Sequence, residues 1–137
     1  MLWARALSVW LLIIATETVN GVLRTLFVAP WLGDLRARQA ALPVAAGLIF
    51  LITLACSRWL NAASTRAQLG VGLLWAALTV VFEVIIGFAQ GFGPERIVED
   101  YDPTRGGFMA IGLAFMALCP WLAVQVRQWH QNEAGQA

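Results

Sequence analysis

Lysine is absent from this chain, and His130 and Tyr101 are its only histidine and tyrosine. Nine arginines against eight acids leave a formal charge of +1, so there is no basic excess to hold nucleic acid. Two cysteines, Cys56 and Cys119, are too few for a disulfide-stapled secreted scaffold and too far apart for a Cys-x-x-Cys redox motif. Neither a His-Glu-x-x-His nor a Gly-x-Ser-x-Gly pattern occurs. The expectation is a non-enzymatic chain without cofactor or metal. Charge of either sign is scarce: 12% of the 137 residues are charged and 60% are apolar, about half the charged share of an average soluble domain. With a mean hydropathy of +0.71, the main solvent of this chain is a bilayer.

A helix crosses about 30 Å of hydrocarbon with about 20 mostly apolar residues. Runs of that kind place spans at residues 6–29, 42–60, 68–90 and 103–126, followed by a polar tail at 127–137 that is expected to fray. The first run carries Glu17 and Arg24, so it is expected to insert as a hairpin with the second. A signal peptide is the competing reading of the N-terminus, but Glu17 and Asn20 stand where its cleavage site needs small residues. The predicted fold is therefore all-α and polytopic: four transmembrane helices in an antiparallel up-down bundle. The connecting loops fall at 30–41, 61–68 and 89–105. Asp102-Pro103 reads as a cap and first-turn proline opening the fourth span, and Gly33-Asp34 as a weaker start before Leu35. Pro120 inside the fourth span should kink it. Trp3, Trp31, Trp59, Trp121 and Trp129 fall at span ends, where indole rings favour the headgroup region, while Trp10 and Trp75 read as bundle packing. Gly70, Gly72, Gly106, Gly107 and Gly112 permit close helix contacts.

Charges at membrane depth are rare and face a bundle interior or a water-filled cavity, which singles out Glu17, Arg24 and Glu83. Glu17, Asn20, Gly21 and Arg24 share one face of the first helix; Thr79, Glu83, Gly87 and Gln90 share one face of the third. Arg24 stands about 10 Å along the axis from Glu17 but leans back towards it, and Glu83 is an equally good partner across the bundle. The candidate site is therefore Glu17, Asn20, Arg24, Thr79, Glu83 and Gln90. Three readings are open. The polar set is a neutralised network that fixes helix register in a structural or accessory protein. Alternatively, it handles protons or ions through Glu17 and Glu83 in a small transporter or channel component. The third is an anionic or lipid ligand on Arg24.

Aligning the halves places Glu17-x3-Gly21-x2-Arg24 beside Glu83-x3-Gly87-x2-Gln90, and Asp34 with Arg38 beside Asp102 with Arg105. This alignment raises the option of two repeated helical hairpins, although the match between the Cys56 and Cys119 segments needs about one helical turn deleted. The loop acids Glu95, Glu99, Asp100 and Asp102 lack calcium-loop spacing and read as solvated charge plus a helix cap. Arginine counts on the two sides tie, so the positive-inside rule is silent; Arg5 beside the N-terminal amine favours cytoplasmic termini. Expected partners are the lipid bilayer and either a second copy or another membrane protein, with no nucleic acid.

The motifs Asn20-Gly21-x-Leu23-Arg24, a following Pro30, Leu78-Thr79-x-x-Phe82-Glu83, Asp100-Tyr101-Asp102 and Gly106 resemble those of a family of short bacterial four-span membrane proteins. The resemblance implies a bacterial inner-membrane protein and draws attention to the same Asn20, Arg24 and Glu83. It supplies no substrate, cofactor or mechanism.

Overall fold

The computed structural model describes residues 1–137, and every regular element in it is helical. The first crossing is Leu2–Leu32, built from α1 (Leu2–Leu23), a π turn (Arg24–Val28) and α2 (Ala29–Leu32). The second is α3 (Asp34–Leu60), the third α4 (Thr65–Ala89) and the fourth α6 (Met109–Gln136), with a short α5 (Pro94–Glu99) and a 3-10 turn (Pro103–Arg105) between the last two. All four long helices are long and apolar enough to span a membrane, and they pack against one another. The four-span, all-α reading is therefore correct.

Local chemistry explains the breaks. Pro30 has no N–H to return to the Leu26 carbonyl and its ring crowds that oxygen. The helix widens there, and Ala29 N–H bonds to the Arg24 carbonyl five residues back. Gly33 ends the first crossing at φ +81°, a left-handed conformation that a side chain would disfavour. Asn61 takes the left-handed position after α3, with its N–H on the Ser57 carbonyl at 3.2 Å. Ser64 then caps α4 by accepting from Ala67 N–H at 3.1 Å.

Three expected boundaries are corrected. The loop expected at 30–41 shrinks to Gly33 alone, because Asp34 and Arg38 pair at i,i+4 and hold Asp34–Ala41 in helix. Asp102 does not open the fourth span; it accepts from Thr104 N–H and Thr104 Oγ1 and so caps the 3-10 turn, and the helix begins at Met109. The tail beyond residue 126 continues as helix to Gln136. Pro120 lies fully buried within α6.

The densest packing lies at the end of the bundle where the chain starts. Ala6, Val9, Ile13, Ile49, Val71, Trp75, Met116 and Cys119 form one contiguous core there. Trp75 is fully buried, and its Nε1 donates to the Ala6 carbonyl at 2.8 Å, pinning α4 to α1. Leu11, Leu51, Leu73, Val81, Ile85 and Ile111 remain exposed, the outward apolar face expected where lipid rather than water surrounds the protein. Trp3, Trp31 and Trp59 are exposed at helix ends, as the sequence suggests, whereas Trp129 is exposed but lies within α6, and Trp121 is half-buried in its interior.

Candidate functional site

Side-chain bonds between α1 and α4 come only from the first ten residues of α1: Trp75 to the Ala6 carbonyl, Trp10 Nε1 to Thr79 Oγ1 at 3.0 Å, and the edge-on contact of Trp10 with Phe82. Beyond them lies a cavity of about 230 Å³, lined by all four long helices and by Asp100 and Gly106–Phe108 of the last loop. Five of the six expected residues line it: Glu17, Asn20 and Arg24 from the first crossing, Thr79 and Glu83 from α4.

Gln90 does not. The α4 helix ends at Ala89, and Gln90 is an exposed C-cap whose N–H bonds to the Ile86 carbonyl at 2.9 Å. Its neighbour on the predicted stripe, Gly87, is buried against Ile97 of α5. The stripe breaks because helical spacing carries a residue to a face only while the helix lasts.

Each remaining residue has a distinct state. Asn20 Nδ2 donates to Glu17 Oε2 at 3.3 Å, and Glu17 Oε1 is buried without a partner. Arg24 folds back over Gly21, where a Cβ would stand 3.9 Å from Arg24 Nη2, so the guanidinium leans towards Glu17 as helical side-chain direction requires. It still forms no ion pair with Glu17 or Glu83. Thr79 accepts from Trp10 and donates to Met116 Sδ at 3.4 Å, so it closes the floor of the cavity. Glu83 stands at the open side, with no side-chain hydrogen bond. The direct Arg24–carboxylate pair expected from spacing is thus absent, although all three charges line one cavity, with Glu83 exposed at its open side.

Two lining residues escaped the sequence reading. Arg38 and Gln39 fall in the segment read as loop, and its helical structure turns them into the cavity. Gln39 Nε2 donates to the Gly106 carbonyl at 3.1 Å, tying α3 to the last loop. Arg38 pairs with Asp34 at 3.2 Å and with Asp100, while Arg96 pairs with Asp34 at 3.1 Å and Asp100 at 2.8 Å. Asp100, read as solvated loop charge, is corrected: it closes a ring of two arginines and two aspartates, of which Arg38 and Asp100 line the cavity. The two i,i+4 spacings, Asp34 with Arg38 and Arg96 with Asp100, were the signal available. Tyr101 beside this ring is half-buried with its hydroxyl unpartnered, and burial first, then the Glu83 charge, pushes its phenol above the ordinary value.

No family model, curated protein or solved structure matches this chain.

The ring supports a prediction. Asp100→Asn removes the negative charge shared by Arg38 and Arg96 but leaves both on Asp34. Because these groups are partly exposed, the expected loss is about 1 kcal/mol rather than that of a buried ion pair. Thermal unfolding of the detergent-solubilised protein should show this loss at low salt and a smaller one at high salt.

Proposed function

We propose that this chain is a non-enzymatic, multi-pass protein of the bacterial inner membrane that takes a proton or small cation into the cavity between Glu17 and Glu83. It would act as a small ion-coupled transporter or channel component. One observation carries the reading. Once Arg38 is matched by Asp100, the cavity holds two carboxylates, Glu17 and Glu83, against one guanidinium, Arg24, which is bonded to neither. An uncompensated negative charge inside a low-dielectric bundle is costly, and a proton or a cation relieves it. Glu17 Oε1, buried and unpartnered, offers a ready acceptor.

The accessory reading, with a neutralised network fixing register, draws on contact between Arg24 and a carboxylate, and the geometry favours the ion-occupied cavity over it. Cytoplasmic termini rest on Arg5 beside the N-terminal amine, since the arginines of the two ends are equal in number. The bacterial inner membrane is the location implied by the motif resemblance noted above.

The test uses vesicles containing the purified protein and an internal pH-sensitive dye. An imposed pH gradient, or a sodium or potassium gradient with the matching dye, is expected to decay faster than in protein-free vesicles. Glu17→Gln and Glu83→Gln should each slow the decay at least tenfold. Glu83→Gln should also melt within about 1 kcal/mol of the parent, because Glu83 has no hydrogen bond to lose. Folded protein that dissipates none of the three gradients, or variants that leak at the parent rate, would overturn the proposal.

A further inference from the structure

At the opposite end of the bundle, a second cavity of about 310 Å³ lies between the end of α3, the start of α4 and α6. Its polar lining is Ser57, Arg58, Asn61, Gln68, Arg127 and Gln128, and it contains no carboxylate. Arg127 Nη1 donates to Ser57 Oγ at 3.0 Å, which fixes the guanidinium against α3 and leaves its other N–H groups free to meet a ligand. Arg58 makes neither an ion pair nor a side-chain hydrogen bond.

Three backbone acceptors nearby are already occupied. The Ser57 carbonyl accepts from Asn61 N–H at 3.2 Å, the Trp59 carbonyl from Arg5 Nη1 at 3.0 Å, and the Ala62 carbonyl from Gln68 Nε2 at 3.0 Å. What faces the pocket is therefore a pair of cations, supported by the N-terminal dipole of α4. One buried side-chain acceptor of the lining has no partner: Gln68 is 5% exposed, and its Oε1 is unbonded. Trp59 and Trp129 are exposed at this same end of the bundle, where indole rings mark headgroup depth.

From this arrangement we propose that the pocket binds a phosphate group carrying a hydrogen-bond donor beyond it, as in glycerol or ethanolamine phosphodiesters. The planar guanidiniums of Arg58 and Arg127 suit phosphate oxygens. Gln68 lines the pocket, and a turn of its side chain would bring the unpartnered amide oxygen, enclosed in this structure, to the hydroxyl or ammonium that follows. A choline headgroup has the phosphate but no such donor. The ligand chemistry is shared by a phospholipid headgroup and a soluble phosphate compound, and the test separates them.

The measurement is thermal unfolding of the full-length protein in a mild non-ionic detergent, titrated with phosphatidylglycerol, phosphatidylethanolamine, phosphatidylcholine or inorganic phosphate. Phosphatidylglycerol or phosphatidylethanolamine at saturation should raise the melting temperature by about 5 °C, and phosphatidylcholine by less than a third of that. Arg58→Gln, which removes no hydrogen bond or ion pair within the chain, should abolish most of the rise. Arg66→Gln, an exposed arginine at the same end outside the pocket, should preserve it. A rise produced by inorganic phosphate and not increased by lipid assigns the pocket to a soluble phosphate compound. Equal stabilisation by all three lipids, an equal loss in Arg58→Gln and Arg66→Gln, or no stabilisation by any ligand would overturn the proposal. These outcomes do not depend on Glu17 or Glu83, so this site and the ion cavity stand or fall separately.

Discussion

Gly72→Leu is expected to abolish the folded bundle. Gly72 is buried on α4, and a Cβ built on it would fall within the backbone of Ala117 on α6. Backbone atoms do not swing aside as the tip of a flexible side chain does, so the two helices would have to separate along their whole contact. Helix association in lipid rests on close packing rather than on escape from water, which makes such a separation difficult to offset elsewhere. Even Gly72→Ala should cost about 3 kcal/mol, the upper end for an overpacked core. Gly47, which has nothing within 4 Å of its missing side chain, is the control: Gly47→Ala should be neutral or stabilising by up to about 1 kcal/mol. Size-exclusion profiles and melting curves in detergent read both. A Gly72→Ala protein melting with the parent would mean that α4 and α6 do not meet at Ala117.

Trp75→Ala comes next in expected effect, with a loss of about 3–5 kcal/mol from an unfilled core cavity. The indole is fully buried within the core at the tight end of the bundle, and its N–H is bonded to the α1 backbone. Trp75→Phe keeps most of the ring and gives up that hydrogen bond, so a loss of about 1–2 kcal/mol is expected. The ratio of the two losses separates packing from hydrogen bonding. Because Trp75 and Trp10 supply the side-chain bonds that join α1 to α4, the alanine variant should also open the Glu17 cavity, measurable as faster modification of a cysteine placed at Asn20. Unchanged reactivity there would show that the cavity is held shut by other contacts.

Much of the candidate site was legible from spacing. Glu17, Asn20 and Arg24 lie on one face because 3.6 residues make a turn whatever surrounds the helix, and Thr79 and Glu83 follow the same rule. Gln90 failed because that rule says nothing about where a helix stops. Arg38 and Gln39 were hidden because a segment rich in charge reads as loop when polarity is the only guide, although the Asp34–Arg38 pairing favours helix. The expectation that five glycines ease helix contacts also divides. Gly72 alone marks a helix-to-helix backbone approach, Gly107 fits against the Glu99–Asp100 backbone within the last loop, and Gly70 and Gly112 meet side chains at ordinary distances.

Four crossings, all helical, could be read from one-dimensional information, since whether about 20 residues leave water for hydrocarbon depends almost entirely on their own side chains and on the need to satisfy every backbone group within the segment. Which charges meet could not. Arg24 stays apart from the two glutamates, Asp100 returns from a distant loop to Arg38, and Arg58 and Arg127 converge on a pocket from helices far apart in the chain. Those outcomes depend on how far each helix is rotated about its axis and where each loop comes back, and packing between helices sets both.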